Sequence, residues 1–219
     1  MRWWLKDNSL TIALLLLFAV SIAGQWLTGW HVALEDAARH GEPAISLARY
    51  TISAEFLSSV FENWESEFLQ MSAYVVLTAM LIQRGSAESR DPESPPRDTN
   101  LEAQAAKTGA PAILRKGPLA RALYARSLGL ALFLLFLLCF VMHWTQSAHA
   151  AAADAEAHGE VARSTIAYLG DPKLWFESFQ NWQSEFLSTA VLVLLSIFLR
   201  QSESPESKPV AAPHAKTGS

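Results

Sequence analysis

Asn63 and Glu67 stand four residues apart, as do Asn181 and Glu185, inside two decapeptides that nearly repeat: FENWESEFLQ from Phe61 and FQNWQSEFLS from Phe179. On a helix that spacing puts amide and carboxylate on one face. Each decapeptide leads into an apolar run, 68–82 or 186–199. A carboxylate just inside lipid is costly, so it faces a bundle interior or a water-filled cavity. Besides plain interfacial exposure with no special role, two readings of Glu67 and Glu185 stand. They hydrogen-bond across helices and fix register, or they form a site for a proton, an ion or a ligand. Asp36 with His40 and Asp154 with His158 make a second i, i+4 set. Aspartate and histidine can both ligate divalent metals, but two residues per face are a weak metal set, and a histidine settled at a helix C-terminus beside an acid explains them better. No metal site is expected from them.

The elements that must position these residues follow from the apolar pattern. The chain has 219 residues, 51% hydrophobic and 17% charged, with the apolar ones bunched into runs at 10–27, 68–82, 128–144 and 186–199. The first and third have the length and the lack of charge of membrane-spanning helices. The second and fourth are shorter because polar residues head them. The N-terminal run could pass for a signal peptide, but its counterpart at 128–144 lies mid-chain, so it is read as a retained helix.

A shift of 118 residues lays the two halves on one another without a gap. Trp26 falls on Trp144, His31 on His149, Asp36 on Asp154, His40-Gly41-Glu42 on His158-Gly159-Glu160, Tyr50 on Tyr168, and Ser66-Glu67-Phe68-Leu69 on Ser184-Glu185-Phe186-Leu187. About 33 of 85 aligned positions are identical, more than shared hydrophobic composition supplies. The copies also depart from each other, with His143-Trp144-Thr145 against Gln25-Trp26-Leu27 and Gln183 against Glu65. A duplicated hairpin that crosses the membrane twice keeps both copies in the same orientation, as parallel repeats.

The resulting expectation is an all-α integral membrane four-helix bundle made of two tandem parallel-repeat helical hairpins. Residues 1–84 form the first hairpin, with helices at about 8–40 and 54–83, and residues 119–201 the second, with helices at about 121–158 and 172–201. Gly41 stops the first helix; Ser53 and Asp171 cap the returning ones, with Pro172 at the first helical position. The proline-rich linker 85–118 and the tail 202–219 read as disordered. If each hairpin is tight, with His40 opposite Ala54, Glu67 lies near residues 25–28 and Glu185 near 143–146. The same register brings His31 toward Asn63 and His149 toward Asn181.

Of 17 Lys and Arg residues, all but Arg39, Arg49, Arg163 and Lys173 lie on the side of the termini and linker. The positive-inside rule then puts both termini in the cytoplasm and makes the chain a multi-pass protein of the bacterial cytoplasmic membrane. Trp3 and Trp4 mark the inner interface, and the other tryptophans gather near the outer one.

Several activities drop out. Cys139 is alone, so dithiol exchange is excluded and the thiol is read as buried and structural. Haem needs paired histidines on facing helices, and of the apolar runs only 128–144 contains one, His143. Phosphate-binding glycine loops, nucleophile elbows and zinc clusters are missing. The cytoplasmic basic residues are dispersed among acids and do not read as nucleic-acid contacts.

The stretches RWWLKDNSL, GQWLTGW, HGEP, FENWESEFLQM and LIQRGSAES resemble an uncharacterised family of small bacterial four-helix membrane proteins, a domain of unknown function. The resemblance runs along nearly the whole chain apart from linker and tail. It implies the membrane architecture and brings no activity with it. The functional expectation is a non-enzymatic binding or scaffolding protein with an acidic extracytoplasmic helical head. The alternative is a small transporter or proton-coupled binding protein using the duplicated carboxylates. Candidate site residues are Asn63, Glu67, Asn181, Glu185, His143, His31 and His149. No cofactor is expected, and the expected partners are the lipid bilayer and another membrane or periplasmic protein.

Overall fold

The computed structural model describes residues 2–218, with side chains from Trp4 onward. The side chains of Arg2 and Trp3, expected at the inner interface, and residues 1 and 219 lie outside what is described. Among the described residues every regular element is helical: α1 Arg2–Asp7, α2 Ser9–His40, α3 Leu47–Thr51, α4 Ala54–Met80, α5 Leu101–Ala105, α6 Pro118–Tyr124, α7 Ser127–Ala157, α8 Thr165–Tyr168 and α9 Pro172–Phe198, with a 3-10 turn at Ala112–Arg115.

Four helices are long. Their ends are written in the sequence: Ser53 Oγ accepts from Phe56 N at the start of α4, and Asp171 accepts from Lys173 N at the start of α9, where Pro172 takes the first position. At the far ends of α2 and α7, Gly41 and Gly159 adopt φ of 70° and 71°, a left-handed turn that costs glycine nothing. There the Glu42 and Glu160 amides reach back to the Ala37 and Ala155 carbonyls, each at 2.8 Å. The same local geometry thus recurs 118 residues on.

Two helices among the described residues, α2 and α7, are long and apolar enough to cross a membrane, against the expected four. The polar openings of α4 and α9 account for the difference, since Glu62, Glu65 and Glu67 or Glu177 and Glu185 fall inside those helices. No residue of α2 is buried, and Leu10, Leu14, Leu15, Leu16, Leu17 and Val20 are exposed in a row. An exposed apolar surface of that extent marks a contact with a protein partner, a ligand or a membrane.

The chain divides into two compact units, Met1–Val60 with Thr145–Thr165, and Phe61–Trp144 with Ile166–Ser219. In the first, the connection from α2 to α4 doubles back along α2. Trp30 Nε1 donates to the Ile45 carbonyl (2.8 Å) and Trp26 Nε1 to Thr51 Oγ1 (2.9 Å), so the connection descends by a helical turn before α4 begins. Gln25 Nε2 then meets Ser59 Oγ at 3.2 Å, where a tight hairpin would have set it opposite residue 69. The expected register was therefore wrong by ten residues, because the connecting segment is not a loop at the hairpin tip but a third strand of chain packed beside it. Tyr50 and Phe56 close the small core of this unit with ring centroids 5.3 Å apart, and Ser58 and Ser147 share a buried hydrogen bond.

The second unit is built on α7, whose buried residues Leu132, Phe136, Cys139 and His143 recur at the 3.6-residue period and form one stripe. Cys139 is buried and free. Against the stripe lie α4 and α9. Ser72 Oγ donates to the Gly129 carbonyl at 3.3 Å, Gln70 Nε2 to Thr189 Oγ1, and Phe136 meets Trp182 edge-on at 6.1 Å. The linker, expected to lack helix, carries α5 and the 3-10 turn, and the helix expected from 121 appears instead as short α6 followed by α7 from Ser127. The tail adds no helix, but Lys208 is buried and its Nζ donates to the carbonyls of Gly85, His214 (2.9 Å) and Lys216 (3.0 Å).

Lys208→Ala leaves those carbonyls without their charged donor, a loss of about 1.5–3 kcal/mol per bond at its upper bound. Limited proteolysis should then cut the tail several-fold faster while circular dichroism shows unchanged helix content.

Candidate functional site

The buried polar residues of the second unit converge where α4, α7 and α9 meet. Glu65 and His143 are fully buried and joined by Glu65 Oε2 and His143 Nδ1 at 3.0 Å. The other oxygen of Glu65, Oε1, accepts from Ser178 Oγ at 2.9 Å and from Trp182 Nε1 at 3.1 Å. An indole nitrogen can only donate, so Glu65 is the acceptor of this network and His143 presents Nδ1–H to it. The arrangement fixes the imidazole's tautomer and leaves Nε2 pointing away from Glu65.

Each member is placed by its helix. Glu65 follows Glu62 by three residues on α4, so the two face neighbouring directions. On α9, Leu174, Ser178 and Trp182 make one stripe and Glu177 with Asn181 the next. Ser178 and Leu174 are fully buried, which pins α9 against the Glu65 carboxylate. His143 continues the buried α7 stripe one turn after Cys139.

On the far side of the imidazole, Nε2 makes no hydrogen bond and lies 3.5 Å from Glu177 Oε2, a distance that suits an ion pair better than a direct hydrogen bond. Glu62, held by Asn181 Nδ2 at Oε1, completes a group in which one atom each of Glu62, His143 and Glu177 lie within 4.8 Å of one another. Lys173 Nζ approaches the other Glu177 oxygen at 4.0 Å from the exposed side. Three carboxylates thus surround one imidazole, and even a doubly protonated ring leaves the group short of positive charge. One buried and two partly buried carboxylates so close together favour a cation or a proton beside them.

Of the residues expected at the site, the structure brings in His143 and Asn181. Glu67 and Asn63 are exposed and Glu185 half-buried, while His31 and His149 are exposed, with the His31 ring tilted at 45° to that of Trp30 and 5.2 Å from it. The shared i, i+4 pairs of the two decapeptides are therefore not the buried cluster. Glu62, Glu65, Glu177, Ser178 and Trp182 were missed, yet a signal was present for the acids and the imidazole, which stand where the two halves differ, while Trp182 matches Trp64. Glu65 answers to Gln183, Glu62 to Gln180, His143 to Gln25 and Glu177 to Ser59.

The other acid–histidine pairs are local. His40 and His158 each donate Nδ1–H to the carbonyl of Asp36 or Asp154, at 3.0 and 2.8 Å, on exposed helix ends. The Asp154 carbonyl and then its carboxylate raise His158 above the ordinary histidine value. Near the cluster the Tyr168 hydroxyl is buried without a hydrogen-bond partner, and burial, with Glu177 and Asp171, pushes it up to about 12, so it stays protonated.

The fold and this site define an all-helical chain with two span-length apolar helices and a buried imidazole–carboxylate cluster. The chain belongs to the family described as Domain of unknown function (DUF6766), whose model matches residues 1–219. No curated protein and no solved structure matches it.

Two measurements follow. Trp182→Phe removes one donor from Glu65 and should cost about 1–3 kcal/mol, read by thermal unfolding in detergent. His158 should titrate by NMR above about 6.5, with Asp154→Asn lowering its midpoint. Because its folded value is raised, the stabilisation from His158 is full below the unfolded value and is lost as pH rises through the folded one.

Proposed function

We propose that this protein is an integral membrane protein with four spanning helices in two tandem hairpins, and that it works as a non-enzymatic binding protein for a cation at the Glu62, Glu65, His143 and Glu177 cluster. The observation that carries the reading is the fully buried Glu65–His143 pair with two further carboxylates around its open side. The exposed leucines of α2 support a lipid surround. Helices α4 and α9, at 27 residues each, run about 40 Å, enough to cross a core of about 30 Å. The 118-residue repeat in the sequence supports two hairpins of like orientation, and the Lys and Arg distribution supports termini and linker in the cytoplasm of a bacterial inner membrane.

In that frame His143 lies at the outer end of α7's apolar run. The cation would enter from outside, and the carboxylates that receive it are Glu62 and Glu177, in place of the duplicated Glu67 and Glu185. A second reading rests on the first unit, where a cleft of about 590 Å³ is lined by Asp36, Glu42, Arg49 and Glu55: the outer segments would dock a basic partner.

Thermal unfolding of the full chain in detergent, across Na⁺, Ca²⁺, Mn²⁺ and Zn²⁺ and from pH 5 to 8, tests the site. At a concentration 100 times Kd, binding adds about 2.7 kcal/mol, or roughly 5–10 °C for a chain of this size. The wild type should gain this with at least one cation or with protons, and Glu62→Gln/Glu177→Gln should not. Equal responses from both proteins would contradict the reading. A reporter fused in the linker should report the cytoplasm; a periplasmic signal would reverse the topology.

A further inference from the structure

The open side of the imidazole carries a more specific reading, which rests on the cation site above. We infer that Glu62, His143 and Glu177 form a binding site for a divalent first-row transition metal, with His143 Nε2 and one oxygen from each carboxylate as ligands and Glu65 as the residue that positions the imidazole. The geometry is that of a metal-ligating histidine. Such a residue donates its other ring N–H to a carboxylate, which fixes tautomer and orientation and raises basicity, and here Nδ1 faces Glu65 Oε2 at 3.0 Å. Glu65 is itself locked by Ser178 and Trp182, so the orientation is built in before any ligand arrives.

The ligating atom stands ready. His143 is fully buried and its Nε2 has no hydrogen-bond partner, an expense a protein meets when something else satisfies the atom. A cation about 2.0–2.1 Å from each donor holds donors about 3.3 Å apart. Nε2 and Glu177 Oε2 lie at 3.5 Å, and all three donor atoms lie within 4.8 Å, a gap that carboxylate rotation closes. Asn181 holds only Oε1 of Glu62, which leaves Oε2 for the metal.

Charge and donor type narrow the metal. With the imidazole neutral, three carboxylates and Lys173 leave the group two negative charges, which a divalent ion cancels and Na⁺ does not. One imidazole nitrogen and two carboxylate oxygens suit Zn²⁺, Mn²⁺, Fe²⁺ or Co²⁺, whereas Cu⁺ prefers sulfur and Ca²⁺ an all-oxygen set. Cys139 lies one turn below His143 on α7 but is not one of the three ligands. Three protein ligands also leave positions open on the metal, as in a site that exchanges its ion or binds a further small ligand.

The test uses the full chain in detergent, stripped with chelator and titrated with Co²⁺ as a spectroscopic probe, with Zn²⁺ in competition. The expected result is one equivalent of Co²⁺ with a visible ligand-field band, displaced by Zn²⁺. Glu65→Gln should weaken binding about 10–100-fold and alter the band, although Glu65 touches no metal. His143→Gln should abolish the band; Glu62→Gln, at a half-exposed position, keeps the test open should His143→Gln not fold, and should weaken binding at least tenfold. Absence of Co²⁺ and Zn²⁺ binding, or affinity unchanged in Glu62→Gln, overturns the metal site. If thermal stability then still responds to protons or Na⁺ through Glu62 and Glu177, the metal falls and the cation reading survives; if it responds to none, both fall.

Discussion

A carboxylate and an imidazole, both removed from solvent, meet at 3.0 Å where three helices cross, and much of the second unit is arranged around the cost of putting them there. Neither group could be left alone: an unpaired buried charge costs several kcal/mol, and even a paired one gains little unless its remaining lone pairs are satisfied. Ser178 and Trp182 supply that satisfaction from α9, Glu65 brings α4, and His143 brings α7. Apolar packing below them, through Leu132, Phe136 and Cys139, sets no unique rotation of one helix against another. The polar contacts above it do, because Ser178, Trp182 and His143 all converge on the one Glu65 carboxylate.

The same pair explains the polar openings of two otherwise apolar helices. FENWESEFLQ contributes Glu62 and Glu65 to the cluster and FQNWQSEFLS contributes Asn181 and Trp182, so the two decapeptides meet in complementary rather than equivalent roles. One supplies acceptors and the other donors.

Much of the fold was legible in the sequence because it depends on local chemistry. Capping by Ser53 and Asp171, the left-handed glycines after His40 and His158, and the apolar length of α2 and α7 are all decided within a few residues. The hairpin register was not legible, since it turns on Trp26 and Trp30 holding a descending segment against α2, and no spacing along the chain announces that. Glu67 drew attention in place of Glu65 because it is the carboxylate of the decapeptide that recurs 118 residues on, as Glu185. Other shared residues, such as His31 and His149, are exposed, whereas the acids and imidazole of the cluster, Glu62, Glu65, His143 and Glu177, stand at positions that differ.

A double-mutant cycle between Glu65 and His143 addresses the central interaction most directly. Unfolding free energies in detergent for wild type, Glu65→Gln, His143→Gln and the double variant isolate the coupling between the two side chains. The account predicts a coupling of about 2–3 kcal/mol, with the double variant less damaged than the two single losses added together. Additive losses, with coupling below about 0.5 kcal/mol, would contradict it and leave the three helices held by apolar packing alone.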